Sequence, residues 1–115
     1  MKRLTADFYR TEAGNEPVRD WILELNADDR KIVGQDIASV EFGWPIGMPI
    51  CSPVRGGLRE VRSTIKKGKV EARVYFAVEG DVMLLLNSDS GKTGQDKAID
   101  LAIDRHRLYK SGKRK

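Results

Sequence analysis

Between Val70 and Val78, apolar and other positions alternate: Val70, Ala72, Val74, Phe76 and Val78 against Glu71, Arg73, Tyr75 and Ala77. A period of two sends the two sets to opposite faces of a β-strand. This segment therefore predicts a strand with one buried face and one face offering a guanidinium beside a phenol. Leu58 to Ile65 reads as the strand before it and Val82 to Leu86 as the strand after it. The connections, Lys66-Lys67-Gly68-Lys69 and Glu79-Gly80-Asp81, are glycine-bearing and of hairpin length. Val82-Met83-Leu84-Leu85-Leu86 is apolar at every position, as a central strand covered on both sides would be.

Upstream the period changes to that of helices. Val18, Trp21, Ile22 and Leu25 fall at i, i+3, i+4 and i+7 behind Pro17, whose missing N–H is harmless in a first turn. Glu16 and Asp20 suit the positive end of that helix dipole. Asn26 is placed to cap a second helix with Asp28 and Asp29 in its first turn. Val33, Ile37 and Val40 continue one face until Gly43, and Trp44-Pro45-Ile46-Gly47-Met48-Pro49 cannot propagate a helix. The two helices are separated by hardly more than a cap, which predicts a helical hairpin. Leu4 to Tyr9 reads as an opening strand and Asn87 to Gly94 as a polar loop. A last helix runs from about Gln95 to Tyr109, with Ile99, Ala102, Ile103 and either His106 or Leu108 on its inner stripe.

The predicted order, β-α-α-β-β-β-α, defines an α+β domain: a small, mainly antiparallel sheet with an N-terminal helical hairpin and a C-terminal helix. At 115 residues the chain supports one core, here residues 1–110 followed by a basic tail, 111–115. No apolar run is long enough for a membrane span, and Asp7 interrupts the start before a signal-peptide core forms. The single cysteine, Cys51, rules out an internal disulfide and fits a reducing cytoplasm. One cysteine and one histidine, His106, do not supply the usual Cys/His zinc site, and neither metal nor cofactor is expected.

Charge sharpens the picture. The formal net charge is +4, but residues 1–50 sum to −3 and residues 51–115 to +7. Arg59, Arg62, Lys66, Lys67, Lys69 and Arg73 place six cations within 15 residues. A basic half on a small domain is the footprint of a polyanion partner, although a solvated surface with a basic tail also accounts for it.

Several stretches resemble the RelE/ParE superfamily of bacterial toxin–antitoxin toxins, most of all its HigB-like and addiction-module-killer branches. They are Glu16-Pro17-Val18-Arg19-Asp20-Trp21, Phe42-Gly43-Trp44-Pro45, Gly57-Leu58-Arg59-Glu60-Val61-Arg62, Arg73-Val74-Tyr75-Phe76 and Lys92-Thr93-Gly94-Gln95. The resemblance implies a small curved sheet with two helices on one side and a C-terminal helix. It further implies the toxin of a type II toxin–antitoxin module, acting in the cytoplasm as a ribosome-associated, metal-independent endoribonuclease (an mRNA interferase that inhibits translation). Its partners would be mRNA, the ribosome and an antitoxin of helix-turn-helix type. ParE-type members act instead on DNA gyrase by protein binding, and a non-catalytic relative that only binds nucleic acid is the third reading, because a fold does not settle an activity.

RNA cleavage by 2′-OH attack needs a proton acceptor, compensation of charge on the phosphorane and a proton for the leaving oxygen. On the resemblance, Arg73 is the phosphate clamp, since a planar fork of donors matches phosphate oxygens. Arg62 orients or binds the phosphate, Tyr75 stacks on a base or bonds the phosphate, and Lys92 approaches from the last loop. Lys66, Lys67, Lys69 and Arg59 steer the RNA backbone. Glu60 is a base or an ion-pair partner. The bland alternatives are ion pairs of Arg73 with Glu60 or Glu71, a half-buried sheet tyrosine and solvated lysines. His106, between Arg105 and Arg107, reads as a surface or partly packed residue.

Overall fold

The two helical stripes form one outer layer. Helix α1 spans Pro17–Glu24 and α2 spans Ala27–Gly43, with Asn26 Oδ1 accepting the Asp29 N–H at 2.8 Å as the cap predicted from sequence. A computed structural model describes residues 1–113. The remaining elements are strands β1 (Thr5–Phe8), β2 (Cys51–Pro53), β3 (Arg59–Ile65), β4 (Val70–Glu79) and β5 (Val82–Ser90), and helix α3 (Gln95–Lys113). They build an α+β domain around one mixed sheet of order β1-β5-β4-β3-β2. β1 runs parallel to β5 and every other pair is antiparallel. No helix among the described residues is long and apolar enough to cross a membrane.

Three features depart from the sequence expectation. Strand β2 is additional: its three residues pair with Arg59–Val61 at the sheet edge, and so short a segment ending in Pro53 carries no readable period. β5 continues to Ser90, so the polar segment from Asn87 is strand where a loop was expected. α3 continues to Lys113, taking most of the expected tail into the helix, while Arg114 and Lys115 lie outside the described residues.

The sheet is buried on both faces. Val18, Val33, Ile37 and Val40 of the helical layer pack on Val61, Ile65, Val74, Phe76, Met83 and Leu85. On the opposite face, Ile99 and Ala102 of α3 pack on Leu58, Tyr75, Ala77, Leu84 and Leu86. This corrects the expectation that the Arg73–Tyr75 face of β4 is open: Ala72 through Ala77 are all buried. The apolar stripe of α3 must itself be covered, and the central strands are the surface that covers it. At the far end of that stripe His106 turns inward to Glu79, while Leu108 is 63% exposed.

Two contacts set the positions of the functional elements. Gly56, at φ +76°, lets the turn before β3 approach α3 so closely that a Cβ would lie 2.7 Å from the Ile103 side chain. The β3–β4 turn holds Lys66 and Lys67 at φ 54° and 55°, a backbone region unfavourable for residues with side chains. It is fixed there by Asp29, a buried α2 carboxylate that accepts the Lys66 N–H at 3.1 Å and lies 3.5 Å from Lys66 Nζ.

Asp29→Ala leaves that partly buried N–H without its acceptor and is expected to cost about 2 kcal/mol. Urea unfolding measures the loss, and faster amide exchange confined to residues 66–69 locates it.

Candidate functional site

The site starts from a register shift. On β4, Phe76 lies opposite Leu85 but Tyr75 lies opposite Asn87, so Leu86 has no partner. This one-residue bulge re-phases the rest of β5. Asn87 and Asp89, which strict alternation from Leu85 would send to the α1–α2 side, fall opposite Tyr75 and Arg73 on the α3 side. α3 holds the irregularity in place. Arg105 donates from Nη1 to the Leu86 carbonyl at 2.9 Å and to Asn87 Oδ1 at 3.2 Å, and the Asn87 amide donates to the Ala98 carbonyl at 3.0 Å. The Arg105 guanidinium also lies 5.9 Å from the Tyr9 ring centre. Burial lowers the Arg105 pKa, with Tyr9 opposing the shift.

Around the bulge, β3, β4, β5 and the start of α3 bring together Glu60, Arg62, Glu71, Arg73, Tyr75, Asp89 and Gln95. Arg62 and Arg73 are direct cross-strand partners. Arg73 is 6% exposed, and its Nε donates to Asp89 Oδ1 at 2.9 Å and to the Tyr75 hydroxyl at 3.2 Å. An Nη2 hydrogen goes to the Gly91 carbonyl, and Nη1 lies 3.6 Å from Glu71. Burial opposes the Arg73 charge, but the bonds to Tyr75 and Asp89 outweigh it and raise the pKa. Tyr75 is completely buried and donates to Asp89 Oδ2 at 3.0 Å. Burial raises its pKa well above the ordinary tyrosine value, with Arg73 opposing the shift.

Glu60, 1% exposed, accepts from Gln95 at 3.1 Å through Oε1, and from Ser52 at 3.2 Å and Arg62 Nε at 2.5 Å through Oε2. Its bond raises the Arg62 pKa. Arg62 makes its one side-chain hydrogen bond through Nε, so both terminal amino groups of its 39% exposed side chain have no hydrogen-bond partner among the described residues. Two guanidinium groups thus meet three carboxylates, and Arg62 is the one with donors left for an incoming anion.

The other expected site residues separate around this cluster. Lys66, Lys67 and Lys69 stand exposed on the β3–β4 turn, and Lys92 is exposed on the loop before α3. Arg59 belongs to the opposite face, opposite Phe76, with its guanidinium 5.1 Å from the Trp44 ring centre, so it is not grouped with Arg62. Tyr75, at zero exposure, presents no ring face for a base to stack on. His106 bonds Glu79 at 2.5 Å, about 20 Å along β4 from Arg73. Asp89 and Arg105 escaped the sequence reading, because both depend on a register shift that the period does not encode. Among the described residues, no three His, Cys, Asp or Glu side chains converge as metal ligands. No protein-family model matches the chain, and no curated protein matches it at a significant level.

The Tyr75 pKa, raised on folding, gives a signed expectation. Its stabilising contribution is complete below about pH 10, the unfolded value, and is lost as pH rises from there toward the folded value. In an absorbance titration at alkaline pH, the Tyr75 ionisation should appear only together with unfolding, and Tyr75→Phe should remove that component.

Proposed function

We propose that this domain is the toxin of a type II toxin–antitoxin module, a cytoplasmic, RelE/ParE-like endoribonuclease that engages mRNA at the ribosome. The observation carrying this reading is the pair of facing arginines on β3 and β4, with the free amino groups of Arg62 beside a turn bearing Lys66, Lys67 and Lys69. That placement suits a phosphate at Arg62 and a nucleic-acid backbone running over the turn. The element order and the layers agree with the fold implied by the sequence resemblance, and the +7 charge of residues 51–115 favours a polyanion.

In this reading Arg62 contacts the scissile phosphate and offsets charge in the transition state. Arg73 acts through position: it is locked by Asp89, Tyr75 and Gly91, and it fixes the cross-strand register beneath Arg62. Glu60 holds the Arg62 Nε so that its fork faces outward. Lys66, Lys67, Lys69 and Lys92 supply attraction that falls with salt. The antitoxin is a helix-turn-helix partner that masks this face or holds it from the ribosome.

A second reading has its own observation. The carboxylates of Glu60 and Asp89 and the Tyr75 hydroxyl are all hydrogen-bonded within the protein, and the other carboxylate beside Arg62, that of Glu71, is ion-paired with both arginines. That favours a binding role without catalysis, on gyrase in the ParE manner or on nucleic acid alone.

Brief induction in bacteria lacking an antitoxin, with transcript 5′ ends mapped, separates these readings. Wild type should generate new ends inside translated frames. Arg62→Gln, which keeps a donor for Glu60 but loses the charge, should reduce them about 100-fold. Growth arrest with intact mRNA would move the assignment to gyrase, and cleavage unaffected by Arg62→Gln would remove Arg62 from the chemistry.

A further inference from the structure

Where the last turns of α3 pass the end of β1, helix and sheet part and leave a groove of about 640 Å³. It is bounded by the end of β1, the segment leading into α1, and the final turns of α3. Phe8 and Leu108 give it apolar walls above the buried Leu84, with Leu108 63% exposed although it lies on the helix that covers the sheet. An exposed leucine alone needs no explanation, but one lining a concave apolar surface with aromatic neighbours marks a binding surface.

The rim is acidic. Asp7, Glu12 and Glu16 line the groove against one cation, Arg10, which is already 3.5 Å from Glu16. Among the described residues, Asp7 and Glu12 have no ion-pair partner. Arg107 and Lys110, on the same end of α3, do not line it, and Arg107 is paired with Asp104 at 3.2 Å. On a chain whose net charge is +4, this is a local reversal of sign. Among the lining residues three carboxylates face one guanidinium, a balance that suits a cation.

We propose that this groove docks a peptide segment of a partner protein, in which a large apolar side chain is flanked by lysine or arginine. The apolar side chain displaces water from the walls formed by Phe8 and Leu108, and the flanking cations meet Asp7 and Glu12. Apolar burial supplies affinity, and the paired charges supply selectivity against acidic segments. Gln95 and Leu108 are about 20 Å apart along α3, so such a peptide leaves the Arg62 cluster uncovered. The assignment stands independently of the nucleic-acid reading.

The test is an NMR titration of the full ¹⁵N-labelled chain with a synthetic peptide, Lys-Lys-Leu-Trp-Leu-Lys-Lys with blocked ends. The same peptide with glutamate in place of lysine is the comparison. Lysine-peptide shifts confined to residues 7–16 and 108–112, with much weaker binding of the glutamate version, support the proposal. Leu108→Ser should weaken binding about tenfold, and Asp7→Asn with Glu12→Gln several-fold. All three side chains are exposed, and unchanged far-UV circular dichroism checks that the fold is kept. Absence of shifts, shifts centred on Arg62, or equal binding of the glutamate peptide would overturn it. A dimer in sedimentation that dissociates in Leu108→Ser would assign the groove to a second copy of the chain and overturn it as well.

Discussion

One extra residue in β5 determines the arrangement of the polar cluster. Leu86 has no partner on β4, and the strand beyond it is re-phased by one position. Without that shift Asp89 would be directed into the apolar layer under α1 and α2, and Arg73 would lose the carboxylate hydrogen-bonded to it, keeping only the half-exposed Glu71 at 3.6 Å. A buried guanidinium is costly unless its charge is closely paired and hydrogen-bonded, so the bulge and the buried arginine depend on each other. α3 supports both, because Arg105 satisfies the Leu86 carbonyl while Ile99 and Ala102 cover Tyr75 and its neighbours. Among the described residues, no buried side-chain polar atom lacks a hydrogen-bond partner. A fully satisfied network of this kind orders the surrounding strands more than it adds net stability.

That dependence divides the two arginines by role. They are neighbours across β3 and β4 and look interchangeable from their residue type. Arg73 has Asp89, Tyr75, Gly91 and Glu71 around it; Arg62 is held at Nε and is open at its tip. Charge density in sequence therefore overstates what reaches solvent. Three carboxylates share the space with the two guanidinium groups, and among the described residues the unpaired basic charge around them lies on Lys67 and Lys69 of the β3–β4 turn and on Lys92 of the loop before α3. A polyanion would meet the turn first and the cluster second.

The parts of the fold legible in the sequence are those set by local rules. Pro17 and Asn26 mark the helix starts, the stripe Val33, Ile37, Val40 gives the buried face of α2, and the all-apolar run in β5 announces a central strand. The parts not legible depend on partners distant in sequence. Strand β2 exists only because β3 offers it an edge. The second face of β4 reads as half polar, yet α3 covers it. The bulge at Leu86 changes which residues face each other without changing composition, so Asp89 resembled loop polarity and Arg105 a surface charge. Arg59 shows the same limit from the other side: it sits among the cations in sequence, but alternation along β3 sends it to Trp44.

Glu41, near the end of α2, has a consequence for how the molecule meets other molecules. Its main-chain carbonyl accepts the N–H groups of Arg3 and Leu4, and its carboxylate accepts the outward N–H of Ala6 on the edge strand β1 at 2.7 Å. A foreign strand adding to that edge would have to break this bond and leave a buried carboxylate without it. At the other edge, β2 is three residues long and ends in a proline with no N–H to offer. Both borders of the sheet thus discourage edge-to-edge polymerisation of a chain whose central strands are this apolar.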